Sequence, residues 1–302
     1  MPTDLERAVV RTLIWFSLTE HPVTAFEVHK WLLQPEGKYE LGQVQRVLLQ
    51  SEYLDKKIQR SQGMYALKGS VSIEEQIRQR QKRFQDAERK FKTLRRWAHV
   101  FRLLPGVRAV AAGNTLAWWG TNEQSDIDLF LVTDPGCIWS SRFWSVLPFA
   151  LSGRRPHTGR RDPFCLSFFA TRDALQLESV CLDRDVYMAY WLKSLVPVMD
   201  QESFLSQLHL ENRWVEALLP NAFARADHHR HTPAALPAPV RQPRLLESVF
   251  RSLQRRRLPV RLKELANQDT RVVVTDHMLK FHANDRREQF RDRFEQLTAR
   301  HL

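Results

Sequence analysis

Two carboxylates, Asp126 and Asp128, stand one residue apart in a run whose other members, Ile127, Leu129, Phe130, Leu131 and Val132, are apolar. In a strand, residues i and i+2 share a face. Both acids then project to one side, with Ile127 and Leu129 on the other. Carboxylates this close repel each other, and burying them is costly unless a cation compensates. The cation suited to such oxygen ligands is Mg²⁺ (or Mn²⁺), which keeps waters and takes substrate phosphates as further ligands. A pair of such ions can activate an attacking oxygen and stabilise a leaving one. Upstream, Gly113 allows close approach of the backbone to a phosphate, and the N–H groups after it can donate to that phosphate.

The elements that must hold these residues are legible on both sides of them. Strand-like runs at 107–113, 126–132 and 165–170 and helical patterns at 183–195 and 204–220 build a central domain over residues 101–227. Before it, residues 1–70 have the order of a winged helix. Asp4 to Leu18 carries apolar residues at helical spacing. "TAFE" (24–27) has the form of a capping box and opens a second helix through Leu33. A third helix ends near Leu54, and two short strands follow around Gln62-Gly63. In such a module the third helix can enter the DNA major groove while the wing touches phosphates. That helix offers Gln43, Gln45, Arg46 and Gln50, and the wing offers Lys56, Lys57 and Arg60. Winged helices also bind proteins, so both kinds of partner stay open.

Residues 71–100 form a long linker helix with Ile77, Phe84, Phe91 and Ala98 at every seventh position. Arg80 interrupts that stripe, which favours packing on the next domain over a coiled coil. Residues 228–243 are rich in His and Pro and read as an exposed linker. Residues 244–302 read as a helical C-terminal region with an Arg-rich helix (Leu245 to Leu258), a short apolar piece at 271–282 and a polar terminal helix.

The net charge of +12 and pI of about 10.0 favour polyanionic partners, nucleotide or nucleic acid, although a solvated basic face has the same composition. Three cysteines (Cys137, Cys165, Cys181) without paired spacing argue against a disulfide framework or a zinc site. No apolar run approaches the ~18 residues of a membrane span, and the N-terminus lacks a signal-peptide layout. The expectation is a cytoplasmic protein without membrane contact. Oligomeric state is left open.

Gly113-Asn114, then residues 115–125, then Asp126-Ile127-Asp128-Leu129 resembles the signature of the polymerase-β-type nucleotidyltransferase superfamily. The wider layout looks like a prokaryotic group within it that carries an N-terminal winged helix. The shared features are "WSSR" (139–142), the "NRWV…LPN" segment (212–221) and "LKFH" (279–282). The resemblance implies an α+β fold: a mixed sheet with helices, preceded by the winged helix and followed by the helical C-terminal region. It implies Mg²⁺-dependent transfer of a nucleoside monophosphate from an NTP to a hydroxyl. Asp126 and Asp128 match the metal-binding catalytic carboxylates, and Gly113, Asn114 and Ser125 the nucleotide-binding set.

This chain departs from the pattern in two places. Asn114 stands where Ser is usual, and Ser167 stands on the strand that usually carries a third carboxylate. Asp162, Asp173 and Glu178 are the substitutes in reach by sequence. The alternatives are an inactive nucleotidyltransferase fold that binds DNA in a regulatory role, and an interaction protein with vestigial acids. Trp118 and Trp119 read as base-stacking or core residues, and Arg142 as a triphosphate contact or a helix-face ion pair. Lys280 and His282, alternate residues on one face, are candidates for reaching the cleft.

Overall fold

A computed structural model describes residues 1–156, 158–200, 202–223 and 246–302. The His/Pro-rich stretch at 228–243 lies outside these described residues.

The N-terminal unit runs α1 (Asp4–Ser17), β1 (Val23–Thr24), α2 (Ala25–Lys30), α3 (Leu41–Gln50), α4 (Glu52–Asp55), β2 (Ile58–Ser61) and β3 (Met64–Leu67). The capping box at Thr24 forms: its hydroxyl accepts from the Glu27 N–H, and the Glu27 carboxylate accepts from the Thr24 N–H. The third helix is in fact two. Ser51 takes an extended conformation, ends α3 and caps α4 by accepting from the Leu54 N–H at 3.1 Å. The expected hairpin is present, turning at Gln62 and Gly63, both at positive φ as a tight hairpin requires. Its sheet has a third strand, in the order β1-β3-β2. β1 has two residues, too few to show a period.

Helix α5 (Ile73–Leu103) follows, capped by Ser72. Its buried Ala87, Phe91, Leu94 and Ala98 pack on the central sheet. Arg80 is paired with Glu27 of the N-terminal unit at 2.6 Å. The residue that breaks the apolar stripe therefore joins two elements.

The central elements are β4 (Val107–Ala112), α6 (Asn114–Ala117), β5 (Ile127–Thr133), α7 (Ile138–Leu151), β6 (Phe164–Thr171), α8 (Val186–Ser194), β7 (Val196–Asp200), α9 (Phe204–Glu211) and α10 (Trp214–Leu218). After them come α11 (Glu247–Arg257), α12 (Val260–Leu265), β8 (Val272–Val274), β9 (Met278–Phe281) and α13 (Arg287–His301). The fold is α+β. A six-stranded mixed sheet has the order β7-β4-β5-β6-β9-β8, with β5 and β6 its parallel pair. The C-terminal region is therefore not only helical. Its apolar piece is a hairpin that completes the central sheet.

Both sheet faces are covered, which is why β5 reads as an apolar run instead of alternating. Phe130, Val132 and Phe168 face α8, α13 and the N-terminal helices. Leu129, Leu131 and Phe169 face α5 and α7. The N-terminal unit shares the first of these cores. Trp15 stacks on Tyr190 of α8 at 4.5 Å, and Tyr190 donates to the Trp31 carbonyl at 2.9 Å. Among the described residues, no helix is long and apolar enough to cross a membrane.

Candidate functional site

Strand β4 ends at Ala112, and the next backbone N–H, that of Gly113, donates to the Asp128 carbonyl at 3.0 Å. One hydrogen bond thus locks the glycine turn to the acid-bearing strand. A side chain at Gly113 would put its Cβ 3.1 Å from the Trp191 indole nitrogen, so glycine is required here by close packing of α8. Asn114 has φ +51°, the left-handed region in which Asn is tolerated far better than most residues. That conformation accounts for Asn at a position where Ser was expected. Its amide oxygen accepts from the Tyr187 hydroxyl at 3.3 Å, and its side chain also hydrogen-bonds the Asp128 carboxylate.

Asp126 precedes β5 and Asp128 lies within it; both line the same cavity. Burial pushes the Asp128 carboxyl up to about 6, against hydrogen bonds from Asn114 and Cys165 that pull it down, and the charge of Asp126 adds to the rise. Among the described residues, no basic side chain forms an ion pair with Asp128. Cys165 sits opposite Asp128 on β6. Its thiol is pushed up to about 12 by burial and the Asp128 charge, so it stays protonated.

Ser167 lies further along β6, and its hydroxyl is 3.0 Å from Nε2 of His282. Burial, with Lys280 and Arg287 nearby, drives His282 down to about 3 and keeps it neutral. Lys280 is lowered to about 8 by burial and Arg287, although its amine pairs with Asp285 at 3.4 Å. Both residues of the "LKFH" segment thus reach the cavity that holds the acids.

The cavity has a volume of about 1130 Å³ and is lined by seven basic side chains against three carboxylates, Asp126, Asp128 and Asp285. Asp285 is the third acid of the cavity, and sequence reasoning missed it. It is committed to Lys280 and to Arg287, the latter at 2.8 Å. The substitutes considered from sequence lie elsewhere. Asp162 is bound by Arg89 and Lys90 of α5. Asp173 lies 3.7 Å from His277, and Glu178 accepts from Gln176. Among the described residues, no group of three His, Cys, Asp or Glu side chains is placed to hold a metal ion. An ion here would have Asp126 and Asp128 as its protein ligands and would complete its shell with water and substrate oxygens, as Mg²⁺ commonly does.

Ser125 does not line the cavity. Its hydroxyl closes the turn before β5, accepting from the Asn122 N–H and donating to the Asn122 side chain. Trp118 packs against Phe16, Trp31 and Tyr190, and Trp119 against Phe84 and Phe91, so both join the core. Arg142 reaches the cavity but makes no ion pair; it donates to Gln254.

The candidate nucleic-acid residues divide. Arg46 and Lys56 are exposed. Arg60 closes the end of α3 through the Leu49 carbonyl at 3.2 Å and pairs with Asp55 at 3.5 Å. Lys57 donates to the His301 carbonyl of α13 and lies over the Tyr53 ring. Helix–helix contacts thus occupy two of the four. Of the glutamines on α3, Gln43 caps its own helix by accepting from the Glu40 N–H, while Gln45 and Gln50 are exposed.

Comparison with known protein families, curated proteins and solved structures returns no match. The functional reading therefore rests on the site.

Proposed function

We propose that the chain is a polymerase-β-type nucleotidyltransferase, with a winged helix before its catalytic sheet, that moves a nucleoside monophosphate from an NTP to a hydroxyl acceptor. The observation that carries this reading is the meeting of the acid pair and the Gly113–Asn114 turn at a cavity with an excess of basic side chains. A divalent ion held by Asp126 and Asp128 would neutralise their repulsion and bring the phosphates with it. The turn and the basic wall bind and orient the triphosphate. In the transfer, the acceptor oxygen bonds to the α-phosphorus, the bond to pyrophosphate breaks, and pyrophosphate leaves with that electron pair. The hydroxyl proton goes to a carboxylate oxygen of Asp128. At about 6, that group is a stronger base than His282 at about 3. This assignment leaves Ser167 a positioning role, through its contact with His282.

The test is calorimetry of Mg²⁺-dependent NTP binding to wild type and to Asp126→Asn, Asp128→Asn. Affinity is expected to fall about a hundredfold in the variant, roughly 2.7 kcal/mol. Equal affinity in the two proteins would overturn the reading.

A second reading, a regulatory protein of the same fold that binds DNA without transfer, draws on Ser167 in place of the third acid and on the exposed Arg46 and Lys56. It expects salt-sensitive DNA binding that weakens in Arg46→Gln, Lys56→Gln, because fewer phosphates are neutralised. Lys57→Gln is expected to loosen α13 instead. A gel-shift titration at two salt concentrations checks this. Binding unaffected by the Arg46 and Lys56 changes would exclude that surface.

A further inference from the structure

The cavity is larger than one ligand needs. Its volume of about 1130 Å³ exceeds the ~300–1,000 Å³ of ordinary single-ligand pockets. It also has two unlike arms. One contains the Gly113–Asn114 turn, Tyr187 and Trp191 of α8, on the sheet face that carries Phe130 and Phe168. The other runs round the end of β6, past Cys165, to α7, α11 and α12, which pack on the opposite face.

The second arm is apolar where a cavity wall facing water would be polar. On α7, Phe143, Val146, Leu147 and Ala150 recur at helical spacing and all line it. The other side of the same helix buries Ile138, Trp139 and Phe149 in the core. A helix apolar all round is expected to be buried all round; α7 instead opens one apolar face into the cavity. Leu253 and Leu262 complete that wall.

Two guanidinium groups stand in this arm, Arg142 and Arg155. Among the described residues, neither forms an ion pair. Arg142 lies over the Phe281 ring at 4.6 Å, spends one donor on Gln254, and leaves its buried Nε–H without a partner. Burial and the charge of Arg155 press Arg142 down to about 10. A buried cation beside a like charge and without a counter-ion is costly unless an anion joins it, and guanidinium matches a carboxylate or phosphate through parallel hydrogen bonds.

We propose that this arm holds the acceptor, and that the acceptor is a largely apolar hydroxy compound whose one anionic head, a carboxylate or phosphate, pairs with Arg142 and Arg155. This rests on the transferase reading above. Nucleotidyl transfer runs in line, so acceptor and leaving pyrophosphate occupy opposite sides of the phosphorus. With the triphosphate at the turn, the open approach to the acids is the arm past Cys165.

Calorimetric titrations with ω-hydroxydecanoate, decyl phosphate and uncharged decanediol test it. At least one of the two anionic probes is expected to bind saturably, about tenfold or more tighter than the diol. That binding is expected to fall by a similar factor in Arg142→Gln, Arg155→Gln and in Val146→Glu, which charges the apolar wall. Asp126→Asn, Asp128→Asn is expected to keep the anionic probe while losing Mg²⁺–NTP. The arginine variant is expected to do the reverse. Circular dichroism melts confirm that each variant is folded. Equal affinity for diol and anions overturns the proposal, as does saturable binding of neither anion. Loss of Mg²⁺–NTP in the arginine variant also overturns it, because the pair would then serve the triphosphate. Should wild type bind an anionic probe but no NTP, the transferase reading fails and the amphiphile site stands.

Discussion

Lys90→Met is expected to destabilise the protein by about 4 kcal/mol, measured by urea unfolding at neutral pH. Lys90 is fully buried, with its amine 2.6 Å from Asp86, 3.3 Å from Asp162 and 2.7 Å from the Asn122 carbonyl. Removing the amine leaves the carboxylates of Asp86 and Asp162 in the interior with Arg89 as their one remaining cation among the described residues. The penalty comes from stranded charge more than from lost attraction. A triple variant with Asp86→Asn and Asp162→Asn is therefore expected to recover much of the loss. Failure to recover would assign the cost to packing.

The effect also has a pH signature. Burial would raise Asp86, but hydrogen bonds from Lys90, Arg89 and Thr121 outweigh it and hold the group at about 2, below its ordinary 3.8. A depressed carboxyl stabilises the fold above its unfolded value, and that contribution is lost as pH falls through the folded one. The gap between wild type and Lys90→Met should therefore narrow between about pH 4 and pH 2. Site and stability are linked here, because Asn122 and Thr121 belong to the loop that delivers Asp126. Lys90→Met is expected to weaken Mg²⁺–NTP binding as well.

Asp128→Asn has the opposite sign. The folded protein holds the Asp128 proton to about pH 6, whereas the unfolded chain releases it near 3.8. Wild type therefore loses stability as pH rises through that window, and an amide that cannot ionise does not. The variant is expected to be more stable by about 2 kcal/mol above pH 7 and nearly equal to wild type below pH 4. Urea melts at those two pH values decide it. A difference that does not change with pH would remove the charge-burial argument. Gain of stability together with loss of Mg²⁺–NTP binding is the pattern of a site that holds strain for function.

Much of this was legible in the sequence because it was local. The capping box at Thr24, the hairpin at Gln62-Gly63 and the strand around Asp128 each declare themselves within a few residues. So does the separation of Gly113 from the acid pair. What stayed hidden depends on distant contacts. Ser51 breaks α3 because its hydroxyl caps the next turn, a choice that helical periodicity conceals. Asp162 looked like an available acid, but Arg89 and Lys90 hold it from another helix. Ser125 looked like a phosphate ligand and closes a turn. Trp118 and Trp119, adjacent in sequence, point to two different packing layers. Asp285 and Arg155 enter the cavity from segments with no motif of their own, and only their unpaired or overcommitted charges could have drawn notice.

The strand order carries a consequence for how the chain is made. β6 takes β5 on one side and β9 on the other, and β9 comes late in the chain. During synthesis, a ribosome that has passed Thr171 but not reached Met278 has produced a sheet whose newest edge is open. That edge displays the run from Phe164 to Thr171, which includes four large apolar residues, with its backbone donors and acceptors unpaired. Such an edge can pair with another chain. The same interval lacks Lys280 and His282, so the nascent protein has no finished cavity. Closure of the edge and completion of the site are one event, and a stalled or clipped chain is at once inactive and prone to aggregate.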